Sequence, residues 1–66
     1  MCKRKKLKVF RIEHDLTQEE LANQLGISVA HYGSVERGIY DPSYKMMATF
    51  FRLYPQEKFE IFDKEE

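Results

Sequence analysis

The stretch Leu16-Thr17-Gln18-Glu19-Glu20-Leu21-Ala22-Asn23-Gln24-Leu25-Gly26-Ile27-Ser28 decides the fold. Thr17 stands where a helix N-cap is needed, its hydroxyl able to accept a hydrogen bond from an unpaired N–H of the first turn. Glu20, three residues on, can reach back to complete a capping box, and Leu16 and Leu21 bracket the cap as a hydrophobic staple. Leu21, Ala22 and Leu25 then make a buried stripe. Gly26 tolerates the positive φ at which a helix turns away, and Ser28 caps a second helix almost at once. Ile27 and Tyr32 repeat the staple spacing across that cap. In the second helix Tyr32 and Val35 face inward, and Gly38 ends it at about Arg37. Each of the two helices is too short to be stable alone, so they need a bed of neighbours.

Working outward supplies that bed. A helix is expected from about Lys5 to His14, with Leu7 and Phe10 toward the core. Ile39 to Asp41 reads as a short loop. Asp41 before Pro42 suits a cap with proline in the first turn, and Ser43 is the alternative cap. The helix that follows runs to about Tyr54 with the stripe Tyr44, Met47, Phe50, Phe51 and Tyr54. Pro55 stops it. Residues 56–62 are expected to form a short fifth helix, with a strand at Phe59–Ile61 the less favoured reading. Apolar residues recur at helical spacing and β-branched alternation is absent. The fold class is therefore all-α, with five helices in a single domain covering residues 1–66. Ile12, Met46 and Phe59 fit these stripes poorly.

The totals agree. The chain has 66 residues, 42% of them hydrophobic and 33% charged, which suits one compact helical domain rather than disorder. At this size folding buries only about 60% of the unfolded surface, so a partner subunit would help. No apolar run approaches the ~20 residues that span a membrane, and no apolar segment of the secretory type follows the Met-Cys-Lys-Arg-Lys-Lys start. Cys2 is the only cysteine, which excludes an internal disulfide and a multi-cysteine zinc site and fits a reducing, cytoplasmic setting. Net charge is zero but unevenly spread: residues 1–11 carry +6 with no acid, and residues 57–66 carry −3. One end can approach a phosphate backbone while the other faces away.

Two short helices around a tight turn have a mechanical use. The first crosses the DNA backbone and the second lies in the major groove with its N-terminal residues at base edges. An ordinary helical hairpin in a small bundle is the competing reading. Leu7-Lys8-Val9-Phe10-Arg11, Leu16 to Ala22, Leu25 to Ser28, Val35-Glu36-Arg37-Gly38 and Pro42-Ser43 resemble the phage repressor and Cro family of helix-turn-helix proteins, also called the xenobiotic-response-element family. The likeness runs without gaps from Leu7 to Phe62. It implies five helices, a DNA-binding pair at residues 17–37, and usually a dimer.

Gln18 opens the first helix of the pair, where its amide and the free N–H groups can hold a phosphate against the helix dipole. The glutamine at the matching place in the family does so. Thr17 and Ser28, at the two caps, are grouped with it as phosphate contacts. With Tyr32 and Val35 buried, Val29, Ala30 and Ser34 lie on the open face of the second helix, with His31 beside them. The family positions matching Val29, Ala30 and Ser34 read bases. This chain departs from the usual pattern there, having no Arg, Gln or Asn for a bidentate contact. Val29 and Ala30 suit thymine methyl groups, so T-containing half-sites are expected, and His31 can bond a phosphate or a guanine acceptor. Arg37, Tyr40 and Lys45 flank the end of this helix as phosphate contacts. Lys3, Arg4, Lys5 and Lys6, within residues 1–6, are expected to form a basic arm. Glu36 reads as structural, capping or pairing with Arg11 or Arg37. Gly33, in mid-helix, serves either a close approach or nothing on an exposed face. Phe59, Ile61 and Phe62 are expected at a two-fold dimer interface within residues 56–62. The alternative is that they fold back onto the first or fourth helix.

The expected function is sequence-specific binding of double-stranded DNA by a homodimeric transcription regulator, by default a repressor on a near-palindromic operator. The rival is a protein-interaction module or an antitoxin on the same fold. An enzyme is not expected: His14, His31 and one terminal cysteine make no metal set or nucleophile–base pair, and no glycine-rich phosphate loop is present. No cofactor, metal, membrane or small-molecule ligand is implied.

Overall fold

The computed structural model describes residues 3–65. Four α-helices follow one another: α1 (Lys5–Glu13), α2 (Gln18–Leu25), α3 (Val29–Glu36) and α4 (Tyr44–Leu53), then a single 3-10 turn at Phe59–Phe62. No strand occurs among the described residues. No helix there is long and apolar enough to cross a membrane. Cys2, on which the expectation about disulfides and zinc rests, lies outside the described residues, as do Met1 and Glu66.

Three helices begin on hydroxyl caps. Thr17 Oγ accepts from the Glu20 N–H at 3.0 Å while Glu20 Oε1 accepts from the Thr17 N–H at 2.8 Å, so the capping box is complete. Ser28 accepts from the His31 N–H and Ser43 from the Met46 N–H. The cap of α4 is thus Ser43 and not Asp41, whose carboxylate is turned toward Arg4 and Lys64. Gly26 takes φ 72° between α2 and α3, and Gly38 takes φ 84° after α3. The turn from α1 into α2 uses Asp15 at φ 55°, one of the few residue types that adopt the left-handed region readily.

The core draws on every element: Leu7 and Phe10, Leu21, Ala22 and Leu25, Tyr32 and Val35, Met46 and Phe50, and Ile61 and Phe62. Phe50 is its hub, with ring centroids 5.1 Å from Phe10, 5.3 Å from Phe51 and Tyr54, and 5.2 Å from Phe62.

Three expectations change here. The fifth helix is one 3-10 turn, because Lys58 and Asp63 are extended on either side of it and leave only four residues between them, too few for an α-helix to propagate. In α4 the stripe is set by Met46 (1% exposed) and Phe50, with Met47, Phe51 and Tyr54 beside them, while Tyr44 is 84% exposed. Capping by Ser43 makes Tyr44 the first helical residue, and it points into solvent. Third, Ile61 and Phe62 are buried within the subunit, folded back against α1 and α4. Among the three residues expected at a dimer interface, only Phe59 is exposed, at 72%, with one side of its ring against Phe51.

Candidate nucleic-acid interface

The α2–Gly26–α3 unit stands on the core through Leu21, Ala22, Leu25, Tyr32 and Val35. That burial fixes which side of α3 remains open. Val29, Ala30 and the Ser28 cap are exposed, Ser34 and His31 are half-buried, and Arg37 is exposed just past the helix. The structure therefore brings Val29, Ala30, Ser34 and Arg37 onto one outward surface beside the start of α2.

Behind this surface lies a polar network centred on Glu36, which is 3% exposed. Its carboxylate accepts from Arg11 Nε at 3.0 Å, from the Tyr32 hydroxyl at 2.7 Å and from Gln18 Nε2 at 3.0 Å. Arg11 also donates to the Leu16 carbonyl at 2.9 Å. Burial pushes the Glu36 carboxyl upward, but the hydrogen bonds from Arg11, Tyr32 and Gln18 together outweigh it and hold the group below its ordinary value. The same contacts stabilise the Arg11 charge, and burial together with the bond to Glu36 drives the Tyr32 phenol far up. The network ties α1 to both members of the pair, so Glu36 pairs with Arg11, one of the two partners expected for it. Gln18 has its Nε2 committed inward to Glu36.

Thr17 and Ser28 spend their hydroxyls on the caps of α2 and α3. Beyond α3, Tyr40 is exposed and its ring stacks with that of His31, centroids 6.1 Å apart. Lys45 is exposed in the first turn of α4.

Arg4 is not where a basic arm would put it. It is 3% exposed. Its Nε donates to the Phe62 carbonyl (2.8 Å), Nη1 to the carbonyls of Val35 (2.7 Å) and Tyr40 (3.0 Å), and Nη2 to Asp41 (3.0 Å). Arg4 thus closes the end of α3, where unpaired carbonyls and the helix dipole favour a cation. Asp41 is held below its ordinary value by the hydrogen bond from Arg4 and by nearby Lys64. Lys5 and Lys6 open α1, and Lys3 lies against Gly38, where an added Cβ would stand 2.7 Å from Lys3 Cβ. Of the four residues expected to form a basic arm, Arg4 is therefore taken into the fold, while Lys3, Lys5 and Lys6 remain exposed. Gly33 is likewise buried rather than on an exposed face.

Sequence reasoning missed the Arg4 latch and the depth of the Glu36 network. The Tyr32–Glu36 spacing of four residues, one helical turn, was a usable signal for the second. A run of four basic residues gave no signal for which one would be buried.

Comparison with known proteins places these features. A family model described as helix-turn-helix matches residues 7–56. An uncharacterised HTH-type transcriptional regulator, MJ0272, of Methanocaldococcus jannaschii is 42% identical over 64 residues, covering 92% of this chain and 96% of the relative. Two uncharacterised HTH-type transcriptional regulators of Archaeoglobus fulgidus are similar at 37% and 34% identity, each over 96% of this chain and over 92% and 93% of the relative. No solved structure matches significantly. With the capped α2–Gly26–α3 unit, the open face of α3 and these relatives in hand, the chain belongs to the helix-turn-helix family of the Cro and C1 repressor type.

Proposed function

We propose that the chain is a sequence-specific, double-stranded DNA-binding transcription regulator. The observation that carries this reading is the capped α2–α3 pair, seated on the core so that the outward side of α3 stays free. Support comes from the relatives, whose names describe HTH-type transcriptional regulators. In this reading α3 enters the major groove, Val29 and Ala30 meet thymine methyl groups, and His31 and Ser34 lie near base edges. The backbone N–H groups that open α2 at Gln18 and α3 beside Ser28, with Tyr40 and Lys45, take phosphates. The protein acts as a dimer on a near-palindromic operator and represses by occluding a promoter. Phe59 is the residue left to anchor the dimer contact, since Ile61 and Phe62 are used inside the subunit.

The test is selection from a randomised duplex library at near-physiological salt. An inverted repeat with half-sites about one helical turn (~34 Å) apart is expected, with thymine opposite Val29 and Ala30. Val29→Gln should alter that position. Recovery of no motif, with weak binding that vanishes as salt rises, would sink the reading and direct the search to a protein partner.

A further inference from the structure

The outward face of α3 is short of groups that tell bases apart. Val29 and Ala30 offer apolar contact, and Ser34 one hydroxyl. Yet a guanidinium lies over that face. Helical side chains lean toward the N-terminus and cover the turn before their own Cα. Arg37, the residue just past α3, keeps a helical backbone (φ −76°, ψ −9°), so its side chain returns along the helix. Its Nη2 is 3.4 Å from Ser34 Oγ, a long bond that a base edge can replace. Its Nη1 is 3.5 Å from the point where a Gly33 Cβ would stand, and Gln18 Oε1 is 3.7 Å from the same point. At 3.6 residues per turn, Ala30, Ser34 and Arg37 share one side of the helix, away from buried Tyr32 and Val35. The acid that would otherwise draw Arg37 inward, Glu36, is engaged by Arg11, Tyr32 and Gln18.

We infer that Arg37 is the guanine-reading residue of this interface, presenting its planar pair of N–H donors to the O6 and N7 acceptors of the base, and that Gly33 is the notch that admits it. The inference rests on the DNA-binding reading and replaces a phosphate role for Arg37. A methyl group at Gly33 would already be in van der Waals contact with the guanidinium and the Gln18 amide, so a longer side chain there competes with Arg37 for the same space. Among Val29, Ala30, Ser34 and Arg37, only Arg37 carries the fork that makes a bidentate contact to one base.

The test is selection on a randomised duplex library with the wild type, Arg37→Ala, Arg37→Lys and Gly33→Met, at one fixed salt concentration. The wild type should fix one guanine per half-site. Arg37→Ala should lose that preference, a change in discrimination of about 10- to 100-fold, while the positions opposite Val29 and Ala30 keep theirs. Arg37→Lys should restore the salt dependence but not the guanine, because an ammonium is a point charge without a fork. Gly33→Met should lose the guanine with its helical circular dichroism intact. If Arg37→Ala weakens all sequences evenly and leaves the same motif, Arg37 is a phosphate contact and the inference falls alone. A wild type that retains no motif overturns the DNA-binding reading and the inference with it.

Discussion

Glu36 shows how one residue sets the terms for its neighbours. Breaking a buried pair leaves the other charge uncompensated and costs about 3–5 kcal/mol, a large share of what a domain this small can hold. Glu36→Ala should therefore leave much of the protein unfolded at 25 °C in a urea titration. The pH dependence follows from the direction of its shift. Because the folded-state value is depressed, the stabilisation is present above the unfolded-chain value of about 4.3 and is lost as pH falls through the folded one. Thermal melts from pH 6 downward should show this acid limb, and Glu36→Gln should flatten it. Gly33 predicts a gain instead. An alanine methyl would meet only ordinary van der Waals contacts, so Gly33→Ala should raise stability by up to ~1 kcal/mol through helix propensity alone. Residue identities in the sequence did suggest that Glu36 was structural. They did not reveal that Arg4 was, because burial of one arginine in a run of four depends on carbonyls tens of residues away.

At the scale of elements, the three hydroxyl caps and the two left-handed glycines carry most of what was legible. Caps act within four residues, so Thr17, Glu20 and Ser28 could be read locally, and the structure places them as read. Thr17→Ala should cost about 1 kcal/mol, and Ser28→Ala a similar amount, measured by chemical denaturation. Gly26 faces open space, so Gly26→Ala isolates the cost of the left-handed backbone, about 1–2 kcal/mol. The stripe of α4 was less legible. Tyr44 and Met46 are both apolar enough for a core, and a change of cap from Asp41 to Ser43 decides which one turns inward. The last segment was misread for a related reason. Pro55 marks an end, but nothing local says whether Phe59 to Phe62 will form an α-helix, a 3-10 turn or an exposed face.

For the whole molecule, the division of labour among Phe59, Ile61 and Phe62 can be tested directly. Phe62 sits against Phe50 and Phe51 in the interior, and Phe62→Ala should cost about 3–5 kcal/mol. Phe59→Glu should leave the melting curve of the subunit within about 1 kcal/mol of wild type. It should also reduce any self-association seen by analytical ultracentrifugation. Charge behaves collectively too. With Arg4 and Arg11 engaged internally, fewer cations face outward than the +6 of residues 1–11 suggests. The composition alone showed the charges but not their internal use.

The reach of Arg4 also has a consequence in time. Its acceptors lie 31, 36, 37 and 58 positions further along the polypeptide. During synthesis the guanidinium emerges before any of the four helices. Only when Phe62 has cleared the exit tunnel can its carbonyl complete the set. The helices can form earlier, but the guanidinium has its full set of acceptors only then.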